Sequence, residues 1–359
     1  MLQNDMYRID EDDAAQCFLP RPADSHKGDY GYVALAGGSF RYSGAIRLAG
    51  MAQKSVRDGM EDAQTSAGDE ITIDSSDQKA GSGSDEYVPR LAGLAQSAVS
   101  AGAGVVMLAV PRSLCYAIRP EILESTLYPL SDVDGELVFV PEEWDELIRR
   151  CRVIAIGMGI GNTKETAAAV KYLLENYTGR LLIDADGLNA LAGMRIADVC
   201  VDKAEKPECA EILRGANCDI VLTPHPGEMA RLCGCTTGEV LADPAGIAQA
   251  FAAKSGATVL LKGASTVVSD GTHTYMSDRG CAGMATGGSG DVLSGVLAAM
   301  LGYWNPERMP LGKLAACGAW TAGLAGELAQ QESCDIAMKA SDTARHVRDA
   351  VTYLRKKHG

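Results

Sequence analysis

The sequence predicts an α/β fold: a central, mostly parallel sheet with helices on both faces. Two patterns predict it. Short, almost wholly apolar runs of strand length recur along the chain, and such continuous apolarity marks strands buried on both faces. Between most of these runs lie amphipathic segments of helical period, such as 164–176 and 243–255. Strands alternating with helices build parallel sheets. A third observation sets the scale: 47% of the 359 residues are hydrophobic, enough for a sizeable core. The alternation runs without a break, so a single domain over 1–359 is expected.

The elements follow in order. "DYGYVALAGG" (29–38) reads as a buried strand ending in glycines. "SGAIRLAGMAQKSVRDG" (43–59) reads as a helix, with Ala45, Ala49, Ala52 and Val56 on one face. Residues 60–88 are polar and rich in Gly, Ser and Asp, the composition of a flexible surface insertion. "RLAGLAQSAVSAG" (90–102) is the next helix, and it repeats the "RLAG-AQ" of 47–53. Local duplication and coincidence between Ala-rich helices are both open; the poorly matching flanks favour coincidence. Further strands are expected at "AGVVMLAVP" (103–111), "CRVIAIGMG" (151–159), "GRLLIDADG" (179–187), "CDIVLTPH" (218–225) and "ATVLLKG" (257–263). "STVVSDGTHTYMSD" (265–278) reads as a hairpin at the sheet edge.

Charge and motif counts exclude several functions. The formal net charge is -14, which disfavours non-specific nucleic-acid binding and repels an anionic membrane. An anionic substrate would need a locally positive site. The start, "MLQNDMYRIDEDDAAQ", is acidic and lacks the apolar stretch of a secretory signal. No run approaches the ~18 apolar residues of a membrane span. The 11 cysteines form no CxxC pair, Cys233 and Cys235 making only a CxC, and the 5 histidines form no HxxxH or HExxH. A zinc site is not expected, and a reducing, cytoplasmic setting is.

Ligands of open parallel sheets bind at the carboxyl ends of the strands, and here each end is followed by glycine or polar chemistry. "GMGIG" places Gly157, Gly159 and Gly161 after one strand. It reads equally as a tight strand–helix turn and as a backbone contact for a ligand, and it is only part of a dinucleotide fingerprint. "DADGLNAL" brings Asp184 and Asp186. Helix capping competes there with substrate positioning or coordination of Mg²⁺-bound water; capping is favoured for Asp186, and the two readings balance for Asp184. "PHPGE" holds His225 between two prolines, which favours ligand contact, while Glu228 reads first as the start of the next helix. "KGAST" (Lys262, Gly263, Ala264, Ser265, Thr266) could let its lysine snorkel to solvent or offer backbone and hydroxyls to a nucleotide.

"GMATGGSGDVLSG" (283–295) is the strongest of these ends. The segment after it has Leu293, Val296, Leu297 and Met300 on one helical face, so Asp291 falls in the first turn. A helix start offers unpaired N–H groups and a positive dipole end, hence an anion site. Glycines 287, 288 and 290 would permit positive φ and close backbone approach. Asp291 reads either as a cap or as a carboxylate kept ionised for use as a base. No GK[ST] follows, so this is not a Walker A loop.

Together these segments resemble the ADP/ATP-dependent NAD(P)H-hydrate dehydratases of the ribokinase-like superfamily. The resemblance runs through "LPRPADSHKGDYGYVALAGGS", "YSGAIRLA", "SAGAGVVMLAVP", "GMGIG", "LLIDADGLNALA", "LTPHPGEMARL", "LKGAST" and "GCAGMATGGSGDVLSGVLAAML". It implies a ribokinase-like fold and repair of the S-epimer of hydrated NADH or NADPH. The hydrate's hydroxyl would be phosphorylated by ADP or ATP with Mg²⁺, and phosphate would then leave. Carried over by motif, Asp291 would be the base, and Ala45, Gly159, His225 and Asp291 would contact the hydrate. Lys262, Gly263, Ala264, Ser265, Thr266 and Gly290 would line the nucleotide site, and the N–H groups around Gly288, Gly290 and Asp291 would form the anion hole. The resemblance also implies a homo-oligomer, a tetramer, and a separate epimerase as functional partner. Two departures stand out: "GAWTAGLAG", where the family often carries a tyrosine and a histidine, and "GMGIG" in place of a proline form. A vitamin-precursor kinase of the same superfamily is a second reading, against which "TPHPGE" and "HKGDYG" argue. A non-catalytic nucleotide-binding protein is a third, against which the intact "GGSGD" argues.

Overall fold

The computed structural model describes residues 6–39, 87–121, 123–194 and 209–357. The expected helix 43–59 with Ala45, and nearly all of the expected insertion at 60–88, lie outside the described residues. In chain order the described strands are β1 (Tyr7–Arg8), β2 (Tyr32–Gly37), β3 (Val105–Pro111), β4 (Thr126–Leu130), β5 (Asp132–Val133), β6 (Glu136–Leu137), β7 (Val153–Met158), β8 (Arg180–Ile183), β9 (Asp219–Leu222), β10 (Thr258–Leu261), β11 (Thr266–Ser269) and β12 (Thr274–Ser277). The helices are α1 (Glu11–Ala15), α2 (Tyr87–Ser100), α3 (Cys115–Ile118), α4 (Pro141–Arg150), α5 (Lys164–Asn176), α6 (Ala185–Gly193), α7 (Cys209–Arg214), α8 (Pro226–Cys233), α9 (Thr237–Ala242), α10 (Pro244–Ser255), α11 (Ser289–Tyr303), α12 (Leu311–Glu332) and α13 (Ala340–Lys356).

Ten strands form one sheet in the order β1-β12-β11-β10-β9-β8-β7-β2-β3-β4. Only β10–β11 and β11–β12 pair antiparallel; every other neighbour pair is parallel. The sheet is therefore mostly parallel, as the sequence predicts. Successive strand residues feed opposite faces. Val33 and Leu35 join the core under α2, α11, α12 and α13, while Ala34 and Ala36 join the core under α4, α5, α6, α8 and α10. The two-sided burial is why the strands read as unbroken apolar runs.

Three expectations change. The β11–β12 hairpin is present, but β1 pairs outside it, Tyr7 opposite Tyr275, so the hairpin is not the edge. The strand expected over 179–187 stops at Ile183, and Ala185 already begins α6. The short pieces β1, β4 and the β5–β6 hairpin have no counterpart in the expectations; the hairpin turns on Asp134 and Gly135, both at positive φ (52° and 76°), the pairing an Asp-Gly turn adopts.

Candidate active site

Four neighbouring parallel strands end side by side and deliver the residues singled out above. After β8 comes Asp184, after β9 His225, after β10 Lys262, and beyond β7 the turn with Gly159. The close approach of β7 to the start of α6 depends on Gly157. Its φ is 123°, and a Cβ there would lie 1.9 Å from the Asp184 carbonyl oxygen. Lys262 is fixed by its backbone as well, its N–H donating to the Pro224 carbonyl at 2.8 Å.

Lys262 does not snorkel. Its Nζ lies 2.8 Å from Asp184 Oδ1 and 3.8 Å from Glu228 Oε2, and the side chain keeps only 22% exposure. Burial works against the ammonium charge, but Asp184, Glu228 and Asp291 outweigh it, and the Lys262 pKa is raised. Asp184 is 2% exposed and accepts a second bond, from Ser294 Oγ at 2.8 Å. The capping favoured for Asp186 is therefore corrected, and the balance at Asp184 falls against capping. Asp184 occupies the N-cap position of α6 without a side-chain cap bond. Asp186 instead accepts the Gly161 N–H at 2.9 Å, tying the glycine turn after β7 to α6. Burial raises the Asp186 pKa, with the Gly161 N–H pulling the other way. Between the two aspartates, Ala185 has φ 46°, a left-handed conformation that a side chain disfavours.

His225 and Glu228 close the other side. The imidazole Nδ1 accepts the Gly227 and Glu228 N–H groups at 3.0 and 3.3 Å, and Glu228 Oε2 accepts the His225 N–H at 2.8 Å. This reciprocal cap starts α8. With Nδ1 accepting, the proton of the neutral ring belongs on Nε2, 3.3 Å from Glu228 Oε1. Burial lowers the His225 pKa, with Lys262 and Arg231 adding to the effect and Glu228 opposing it. The side chain is still half exposed, so capping leaves one ring face available.

The start of α11 faces this ion pair. Gly288 is its N-cap at φ 98°, and Asp291 stands in the first turn, within electrostatic reach of Lys262. Of the three glycines expected to use positive φ, only Gly288 does; Gly290 is helical and serves by its bareness. A Cβ at Gly290 would lie 3.6 Å from Lys262 Nζ and 3.8 Å from Asp184 Oδ2, so its backbone forms the wall beside the pair. Gly263, Ala264 and Ser265 are exposed in the turn after Lys262, and Thr266 begins β11. Ser289 Oγ, at the first position of α11, is buried and has no hydrogen-bond partner among the described residues. A spare donor at a helix start suits an anionic oxygen.

The structure thus joins Lys262, Gly288, Gly290, Asp291 and, through Glu228, His225. The sequence reading missed Ser294. Its signal was a lone hydroxyl one turn after Gly290, hence on the same helix face. No three His, Cys, Asp or Glu side chains among the described residues are grouped to hold a metal ion.

The sequence model of the NAD(P)H-hydrate dehydratase family matches residues 82–348. The bifunctional NAD(P)H-hydrate repair enzyme of Moorella thermoacetica is 33% identical, over 90% of this chain and 50% of its own length. The ADP-dependent (S)-NAD(P)H-hydrate dehydratase of Neisseria meningitidis is 30% identical, over 95% of this chain and 90% of its own. The chain spans about half the length of the curated bifunctional relatives it matches. In fold it is similar to the ADP/ATP-dependent NAD(P)H-hydrate dehydratase of Bacillus subtilis co-crystallised with ATP/Mg²⁺, with TM-score 0.68, 22% identity, and coverage of 98% and 99% of the two chains.

Proposed function

From its place in the NAD(P)H-hydrate dehydratase family, to which the chain belongs, we propose that it restores NADH and NADPH from their S-hydrates at the expense of an adenine nucleotide. The observation that carries the reading is the charged cluster at the start of α11, where a bare helix terminus faces Lys262 across Gly290.

Hydroxide is a poor leaving group and phosphate a good one, so the hydroxyl is first made into a phosphate ester. The hydrate's hydroxyl oxygen attacks the terminal phosphorus of the nucleotide while Asp291 takes its proton. The bond from that phosphorus to the bridging oxygen breaks, and the shortened nucleotide leaves with the electron pair. The backbone N–H groups at Gly288, Gly290 and Asp291 stabilise the equatorial oxygens in flight, the work of an anion hole. Phosphate then departs with the carbon–oxygen pair, a neighbouring carbon yields its proton to the departing phosphate, and the electrons of that carbon–hydrogen bond re-form the ring double bond. Lys262 balances nucleotide phosphate, with the exposed turn of Gly263, Ala264 and Ser265, and Thr266 at the start of β11, lining the nucleotide. Gly159, His225 and Ala45 contact the hydrate.

The cluster carries one ammonium against the three carboxylates of Asp184, Glu228 and Asp291. An incoming polyanion therefore needs a further counter-charge. Mg²⁺ would supply that charge by screening the phosphates. It would arrive with the nucleotide, whose phosphates offer the oxygen ligands it prefers.

The remaining readings rest on the resemblance. The described residues form one domain, supported by a single ten-stranded sheet. An epimerase supplies the S-hydrate, the assembly is a homo-tetramer, and the setting is cytoplasmic. No described helix is long and apolar enough to cross a membrane, and the ten described cysteines are free. The deciding assay incubates the protein with hydrated NADH, Mg²⁺ and either ADP or ATP, and follows reduced-nicotinamide absorbance. Recovery with one nucleotide is expected. A stable phosphorylated product without reduced nicotinamide would favour a vitamin-precursor kinase instead.

A further inference from the structure

The opposite end of α11 opens on a second site. Its 15 residues span about 22 Å, from the catalytic cluster at Gly290 to Tyr303. Beyond Tyr303 lies a cavity of about 530 Å³, bounded by the segment after α1, the turn between α2 and β3, the α11–α12 turn and the end of α13. That volume is in the range of small-molecule sites.

The lining is unusual for so acidic a protein. Arg21, Arg308 and Arg355 all line the cavity, and among the described residues no carboxylate does. Arg21 is held in place: its guanidinium lies 3.8 Å from the centre of the Tyr30 ring, and Nη2 donates to the Gly102 carbonyl at 2.7 Å. The guanidinium groups of Arg308 and Arg355 have no hydrogen bond or ion pair among the described residues. The rest of the wall is largely apolar and includes the rings of Phe18, Tyr30, Tyr303 and Trp304. Two of its polar tips are already used: Trp304 Nε1 donates to the Met309 carbonyl at 2.7 Å, and the Tyr303 hydroxyl to the Ala101 carbonyl at 3.2 Å. A ligand's charge would therefore be answered by guanidinium, and its body by apolar and aromatic surface. In a chain of net charge -14, three arginines left without carboxylates around one hollow call for an anion.

We propose that this cavity is a binding site, separate from the catalytic cluster, for a small organic phosphate with a flat apolar or aromatic body. Guanidinium pairs bind phosphate in a forked, charge-assisted way, and aromatic walls favour a planar body.

Phenyl phosphate is the probe, because it carries both features without the adenine or nicotinamide groups of the catalytic ligands. Inorganic phosphate and phenol serve as its two halves. Calorimetric titration of the wild-type protein is expected to give one saturable site for phenyl phosphate, weaker for either half and weakened by added salt. Arg308→Glu/Arg355→Glu lowers the affinity by about tenfold or more. Lys262→Met, in the cluster that faces the opposite end of α11, leaves it within about twofold. The milder Arg308→Ala and Arg355→Ala variants give the same trend in smaller steps should the double variant melt early. Absence of binding to the wild type overturns the proposal. So does unchanged affinity in all the arginine variants, or loss in Lys262→Met instead, which would put the anion in the catalytic cluster.

Discussion

At the scale of the residue, the site rests on who holds whom. Asp184 is almost wholly buried and is held by Lys262 and Ser294. Lys262→Met removes the one ammonium facing Asp184 and Glu228, and breaking a buried pair is costly because the surviving charge stays buried. Partial exposure of the lysine puts the loss near the low end, at about 3 kcal/mol, read as a shift of the urea midpoint. Lys262→Met/Asp184→Asn should recover part of it. Asp291→Asn should abolish turnover while largely sparing nucleotide binding by calorimetry; equal loss of both would remove Asp291 from the role of base. His225 makes a pH prediction. Its folded pKa lies below the ordinary 6.5 because burial disfavours the imidazolium. The unfolded chain then takes up the proton first as pH falls, so stability is full above 6.5 and is lost as pH drops through the folded value. Thermal melts between pH 7.5 and 5 should show this decline shallower in His225→Asn, since Asn still caps the helix. The types of these residues were legible in the sequence and their partners were not. In "DADG" capping and a functional role balanced for Asp184, and only the fold shows that it reaches Lys262, 78 positions away.

At the scale of the element, turns and crossings carry the precision. The long apolar runs announced β2, β3, β7, β9 and β10, because strands buried on both faces have no polar residues to dilute the pattern. The two-residue β1 has too few positions to show any period, and the exposed Thr126 and Pro129 of β4 mask an edge strand. The end of β8 was overrun because the expected strand was carried on to Gly187, whereas Ala185 enters the helix through a left-handed φ. What the sequence could not reveal about "GMGIG" is which glycine is indispensable. Gly157→Ala places a Cβ 1.9 Å from the Asp184 carbonyl oxygen, and backbone on both sides leaves nothing soft to move. The expected loss is about 3 kcal/mol or more, together with displacement of Asp184 and loss of turnover. Gly290→Ala is the contrast. Its Cβ would meet Lys262 and Asp184 at ordinary contact distances. It should fold with near-wild-type stability in a urea melt and lose activity chiefly through a raised KM for the nucleotide.

At the scale of the molecule, one end of the sheet gathers the parts of the proposed site from distant stretches of chain. Lys262 belongs to the turn after β10, Gly290 and Asp291 to α11, and Asp184 and Glu228 to the starts of α6 and α8. A ligand that touches several of these binds only the folded state, so its affinity becomes stability. For an adenine nucleotide at a hundred times its dissociation constant the gain is about 2.7 kcal/mol. Unfolding entropy of about 2.1 cal/mol/K per residue then makes the melting temperature rise by about 3–4 °C for a chain of this length. The same concentration series should leave Lys262→Met almost unshifted, because that variant has lost the ammonium that answers the phosphates. Asp291→Asn should keep the shift, because its carboxylate is needed for the proton and not for the nucleotide. A rise of equal size in all three proteins would mean that the nucleotide binds away from the α11 terminus, and the assignment of the cluster would fall with it.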